Sequence, residues 1–268
     1  MDAFRGDSAC ARAGVVVMNK GWFMLKGLIV SVALSFAAVS SVGAASKGNL
    51  DASGANVFDL ASVQRGASLF ANYCMACHSA KYMRFKRMEE DLDLTEEQIQ
   101  EFLVPAGLEV SDYMISSMPY EASAEWFGKS PPDLSLTARS RGPDWIYTFL
   151  RSYYLTEDGW NNTVLANPAM PHVLWELQGI QRPVMEMVED ETGAMEVKVA
   201  SLELDQPGTL SPSAYDDAIR DIVAFMQYIA EPAVLKRQRL GIWVLLFLAL
   251  FTFLSYLLYH EYWKDIKK

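Results

Sequence analysis

The sequence predicts a mainly α-helical protein with a small β-hairpin insertion, carried on one C-terminal transmembrane helix. Three observations predict it. Several short stretches repeat apolar residues at helical spacing. Two neighbouring segments, Val184 to Val188 and Met195 to Leu204, partly alternate apolar and polar residues. The run from Gly241 to Tyr259 is 19 residues long and carries no charge. The chain has 268 residues, of which 51% are hydrophobic. Those apolar residues gather near the two ends, so the middle reads as a water-facing domain.

In chain order, Lys20 and Lys26 precede an apolar run from Leu28 to Val42, followed by the small residues Gly43, Ala44, Ala45 and Ser46. A cationic start, a short apolar middle and a small-residue end make a signal peptide over residues 1–45, removed near Ala45. The alternative is a membrane helix, for which the run is short and rich in Ala and Ser. Asp2 and Asp7 are out of keeping with a cationic start, so Met18 or Met24 is the expected first residue. Cys10 then falls in the discarded part.

The stretch from Ser62 to Tyr73 approaches the chemistry as a helix. Val63, Leu69 and Phe70 give it an apolar side, and Gly66 permits a close helix crossing. It leads into Cys74-Met75-Ala76-Cys77-His78. C-x-x-C-H is the attachment signature of a c-type haem. Each thiol adds across one vinyl group, and the two residues between them let both reach one porphyrin edge. His78 is then placed beneath the iron as proximal ligand. A redox-active disulfide is the rival for two such cysteines. The following histidine, and the lack of another cysteine in the exported part, favour haem. The expected fold is therefore a c-type cytochrome domain over residues 46–239.

Further on, Thr95-Glu96-Glu97-Gln98 has the form of a capping box opening a helix to about Leu103. A second helix is expected over Asp144 to Tyr154, with Trp145, Ile146, Phe149 and Leu150 on one side. Pro131-Pro132 favours extended backbone whose carbonyls are free to accept. One of them can accept from the distal ring nitrogen of His78 and fix the imidazole plane. The sixth iron position falls to one of 13 Met, or to His172; His260 lies in the membrane tail. Asn167-Pro168-Ala169-Met170-Pro171-His172 stands apart, because two prolines stiffen it. Met170 would raise the potential and His172 would lower it. The chemistry favours Met170 and leaves His172 and the other methionines open.

The hairpin turns at Glu191-Thr192-Gly193. Ser211-Pro212 opens the last soluble helix with a cap and a proline at its first position. Ile219, Ile222, Val223, Met226 and Ile229 form its buried stripe, and Pro232 ends it. The uncharged run spans about 28 Å, one hydrocarbon thickness. Trp243 stands at one end, with Tyr256, Tyr259, Tyr262 and Trp263 at the other. Residues 240–260 are expected as the anchor and 261–268 as a cytoplasmic tail. Three basic residues flank each side, so orientation rests on the signal peptide: export puts the domain outside the membrane and the short tail inside, which for a bacterial member of the family resembled below means the periplasm of the inner membrane.

Charge and composition exclude some classes. A net charge of −10 argues against nucleic acid, which needs Lys and Arg. Of three His, one belongs to the C-x-x-C-H motif and another lies against the membrane, which argues against a multi-histidine zinc site or a Ser-His-Asp hydrolase. The span 46–240 holds 16 basic and 29 acidic residues. The acids gather at Glu89, Glu90, Asp91, Asp93, Glu96, Glu97 and Glu101, and again at Glu186, Glu189, Asp190 and Glu191. Such clusters are a solvated surface or a docking face for a basic partner.

The ordered motifs resemble the bacterial cytochrome c1 family, the haem c subunit of the ubiquinol–cytochrome c reductase complex. The resembling residues are the haem motif, Tyr82-Met83-Arg84, Pro131-Pro132-Asp133-Leu134-Ser135, Arg139-Ser140-Arg141, Ala169-Met170-Pro171-His172 and the C-terminal anchor. The resemblance covers roughly residues 50–265. It implies Met170 as sixth ligand. It implies an arginine on a haem propionate, Arg141 without a gap or Arg139 as runner-up. It implies an aromatic residue at the haem, Tyr147 without a gap or Trp145 with one. It implies one covalent haem c, with electrons arriving from a Rieske iron–sulfur protein and leaving to a soluble cytochrome c. Cytochrome b is the membrane partner, within a dimeric complex. No side chain of this chain then does acid–base work on a substrate; the assembly is the enzyme. The other readings are a membrane-anchored electron shuttle to a terminal oxidase and a haem-based ligand sensor.

Overall fold

The computed structural model describes residues 50–189 and 195–265. The expected signal peptide, Cys10, the hairpin turn at 191–193, Asp190 and the last three tail residues lie outside the described residues. About half of the described chain is helical, with small antiparallel strand pairs and one long C-terminal helix. This is the mainly α architecture that the sequence predicts.

The chain enters through α1 (Leu60–Tyr73), capped by Asp59, whose side chain accepts from the Ser62 amide. Next come β1 (Ala80–Arg84), α2 (Phe85–Leu92), α3 (Glu96–Phe102) and β2 (Tyr113–Met114). The capping box forms as read: Thr95 Oγ1 accepts from the Gln98 amide at 3.2 Å, and Gln98 Oε1 accepts from the Thr95 amide at 2.9 Å. After α4 (Tyr120–Phe127) and α5 (Thr137–Ser140) comes α6 (Pro143–Arg151). This helix is shorter than the sequence pattern. Ser152 ends it, and Tyr153 opens β3 (Tyr153–Thr156), which pairs with β4 (Gly159–Asn162). Aromatic and β-branched side chains at Tyr153, Tyr154 and Thr156 fit a pleated strand better than another helical turn.

The short α7 (Trp175–Gln178) leads into the insertion, β5 (Gly179–Glu189) paired with β6 (Met195–Pro207). The hairpin is longer than the alternating segments alone indicate, and β1–β2 and β3–β4 are two further strand pairs that the sequence does not announce. They are short, and their pairing depends on distant residues rather than on local alternation.

The core is built on α8 (Pro212–Ala230). Ser211 caps it, accepting from the Ala214 amide at 3.3 Å. Its predicted stripe, Ile219, Ile222, Val223, Met226 and Ile229, is buried throughout. Helix α1 crosses α8 at Gly66, where a Cβ would collide with the Asp221 carbonyl. Asp221 then ties the two helices, accepting from Ser62 Oγ and from Arg65 Nε, both at 2.6 Å. Tyr215 joins α8 to α6 by donating to the Leu150 carbonyl at 2.9 Å.

The final helix α9 (Val234–Tyr262) has no buried residue. From Leu240 onward its Leu, Phe and Trp side chains would all face water, a large cost for an isolated soluble helix. It is the one helix among the described residues long and apolar enough to cross a membrane. Its base is pinned to the domain: Lys236 meets Glu90 at 2.8 Å, and Arg237 meets Glu231 at 3.1 Å.

Candidate haem site

The motif follows directly from the end of α1. The Cys74 amide continues the helix by donating to the Phe70 carbonyl at 2.9 Å. The Cys77 and His78 amides both turn back to the Cys74 carbonyl, at 3.1 and 2.8 Å. This tight turn holds both cysteines and His78 together on a rigid base. Both thiols are free. Burial, and the neighbouring Cys77, push the Cys74 thiol up to about 12.

A second segment closes on the motif from across the fold. The Leu134 amide donates to the Ser79 carbonyl at 2.8 Å. The Lys81 amide donates to Asp133 Oδ2 at 2.9 Å, and the Tyr82 amide to Ser135 Oγ at 3.2 Å. Those bonds set Pro132 so that its carbonyl oxygen lies 2.8 Å from His78 Nδ1. A carbonyl can only accept, so Nδ1 carries the hydrogen and Nε2 of the neutral ring keeps its lone pair. Burial lowers the His78 pKa, while the Pro132 carbonyl and Asp133 work against that shift. A neutral imidazole with an oriented, uncommitted Nε2 is the form that binds a metal. Ser116 braces the loop from below, donating through Oγ to the Ala76 carbonyl at 2.9 Å.

Helix α6 carries a ring series that leads to the Met170 loop. Arg141 lies 5.1 Å over the Trp145 ring, Trp145 stacks on Phe149 at 5.0 Å, and Phe149 meets Tyr153 edge-on at 5.2 Å. Tyr153 stacks flat on His172 at 4.9 Å. The series runs at steps of four from Arg141 and ends at the proline-flanked loop. Arg141 and Arg139 are both exposed and have no carboxylate partner among the described residues. Arg141 is therefore a cation available to an anionic group, held against an aromatic plane. Tyr147 sits elsewhere: its ring faces Arg151 at 4.7 Å and Arg220 at 5.8 Å, buried towards α8. The structure thus groups Trp145, not Tyr147, with Arg141.

Met170 is half-buried and packs against the core. Its backbone carbonyl accepts from the Tyr153 hydroxyl at 3.2 Å. His172 is buried between Tyr153 and Trp160, and burial lowers its pKa to about 4. Gln178 acts on this ring, yet His172 Nε2 and Gln178 Oε1 both lack a full hydrogen bond. Sequence reasoning missed Tyr153, Phe149 and Ser116. The four-residue spacing from Arg141 was the only available signal for the first two.

Two free thiols, a preset imidazole nitrogen, a thioether loop and an unpaired arginine are the donor set of a c-type haem. The residues fit that group. The class this defines is that of the haem-bearing cytochromes.

Comparison with known proteins narrows the class. The Cytochrome C1 family matches residues 52–266. Cytochrome c1 of Allochromatium vinosum is 40% identical over 245 residues, covering 90% of this chain and all of that protein. A Nitrosomonas europaea protein named ammonia monooxygenase gamma subunit is 41% identical over 246 residues, covering 91% of this chain and 99% of that protein. Cytochrome b/c1 of Bradyrhizobium diazoefficiens is 26% identical over 250 residues, covering 78% of this chain but 34% of that longer protein. The chain belongs to the cytochrome c1 family, and membership implies a haem c cofactor and a membrane-anchored electron-transport role.

Proposed function

We propose that this chain is the cytochrome c1 subunit of a ubiquinol–cytochrome c reductase complex. It accepts single electrons from a Rieske iron–sulfur protein and delivers them to a soluble cytochrome c. The observation that carries the reading is the His78–Pro132 contact beside two free thiols. Cys74 and Cys77 would hold one haem c covalently. His78 would ligate the iron through Nε2, and Met170 would supply the sixth ligand. When bound, the haem supplies a one-electron Fe(III)/Fe(II) couple.

The chain's own residues set the properties of that couple. Pro132 fixes the His78 tautomer and plane. A neutral Met thioether favours Fe(II) relative to a second imidazole and so raises the potential. Arg141 is the better-supported partner for a propionate, because Trp145 holds it in place; Arg139 lacks such a brace. Trp145 is the better-supported aromatic contact. Two fixed ligands and a stiff loop keep reorganisation small during electron transfer.

Residues 1–45 act in this reading as a signal peptide, so that residues 46–239 lie in the periplasm. Residues 240–260 span the inner membrane and 261–268 face the cytoplasm. Cytochrome b is the natural membrane neighbour, a reading supported by the Bradyrhizobium relative's name. The complex would be dimeric.

Affinity purification from detergent-solubilised membranes tests the assignment. The chain should come out with cytochrome b and an iron–sulfur protein, and the preparation should show a haem c spectrum. Recovery alone would leave an independent shuttle. Recovery with monooxygenase subunits would favour the assembly named for the Nitrosomonas relative.

A further inference from the structure

We propose that Tyr153 is a positioning residue that clamps the Met170 loop and so keeps the thioether from leaving its ligand position. The proposal rests on the reading of Met170 as sixth ligand. Three attachments carry it. The loop entrance is held where the Asn167 amide donates to Asn161 Oδ1 at 2.8 Å, with Asn167 in left-handed backbone. Its centre is held by the Tyr153 hydroxyl on the Met170 carbonyl. Its exit is held by the flat stack of Tyr153 on His172, with ring planes 2° apart. One side chain therefore grips the loop at positions 170 and 172 together.

The loop needs this grip. Pro168 and Pro171 have no amide hydrogens, so the segment cannot knit itself into a backbone ladder around Met170. Tyr153 itself cannot drift. It is 1% exposed, starts β3, and is wedged edge-on by Phe149. Asn162 secures the same corner from behind, donating to the Phe149 carbonyl at 2.8 Å and accepting from the Val164 amide at 2.9 Å. Loss of the hydroxyl would free the Met170 carbonyl while leaving the ring in place. A lost neutral hydrogen bond changes an equilibrium by about fivefold. The population with the thioether detached should rise by that factor.

Imidazole reads that population, because it binds oxidised haem only when the sixth position opens. In the complete haem-loaded protein, Tyr153→Phe should tighten apparent imidazole binding about fivefold. It should also lower the midpoint potential and keep the near-infrared Met–Fe(III) band. His172→Phe retains a flat ring over Tyr153 and should bind imidazole as the native protein does. His172→Ala removes the ring and should bind it more tightly. Unchanged imidazole affinity in both Tyr153→Phe and His172→Ala overturns the clamp, even if their melting temperatures fall. A native protein without the near-infrared band overturns Met170 ligation, and the clamp with it.

Discussion

His78 takes its tautomer from one backbone oxygen. The Pro132 carbonyl at 2.8 Å selects the tautomer that leaves Nε2 free. Spacing alone marks Cys74, Cys77 and His78 as the expected haem attachment, because that chemistry demands the order. Pro132 was readable because proline leaves carbonyls without competing amides. Trp145 against Tyr147 was not readable: the two lie half a helical turn apart, and only packing against α8 separates their faces. Tyr153 was hidden for another reason, since its pattern continued a helix that Ser152 in fact ends. Replacing the sixth ligand is the informative change at this level. Met170→Ala should lower the potential by on the order of 0.2 V, a fraction of the range that axial ligands span. The reduced variant should bind carbon monoxide, while the native protein resists it. If neither property changes, Met170 is not the ligand. Arg141→Ala should lower the potential more than Arg139→Ala, because a cation beside the iron favours Fe(II). Equal shifts in a redox titration would contradict the preference for Arg141.

The α1–α8 crossing shows how a small residue places the haem motif. Gly66 lets the helices approach until Asp221 meets both Ser62 and Arg65. Gly66→Ala drives a methyl group into the Asp221 backbone, which cannot swing aside. Overpacking of this kind should cost about 2 kcal/mol, or roughly 4–8 °C of melting temperature in a domain of this size. Thermal denaturation of the haem-loaded protein in detergent checks it; a variant as stable as the native protein would mean that the crossing is loosely packed. The close approach was legible from Gly66 within an apolar stripe. The partner was not, because Asp221 lies 155 residues further on in a chain that gives no pairing signal. The hairpin illustrates the same limit. Its alternation was visible at Val184–Val188 and Met195–Leu204, but its full length depends on residues around Gly179 and Pro207 that do not alternate.

The acidity of the whole domain divides into two parts once folded. In the first cluster, Asp91 is buried with Arg87 at 2.8 Å and Tyr228 at 3.1 Å. Glu89 and Glu96 meet Lys86, and Glu90 meets Lys236 at the base of α9. Most of those charges are thus spent within the fold. Glu186 and Glu189 stand exposed on β5, free to act on a partner. Reversing both to Lys should slow reduction of a basic cytochrome c by about tenfold at low ionic strength and flatten its salt dependence. Stopped-flow rates against ionic strength would measure this. An unchanged slope would return that cluster to ordinary solvated surface. The composition made the acidic excess plain, but only the folded arrangement separates internal ion pairs from open charge.

One measurement reaches the centre of the account. The mature protein, purified from membranes, denatured and alkylated, should show by intact mass the weight of the polypeptide plus one haem, with neither Cys74 nor Cys77 modified by the reagent. A polypeptide that runs at its bare mass with both of these sulfurs alkylated would contradict it.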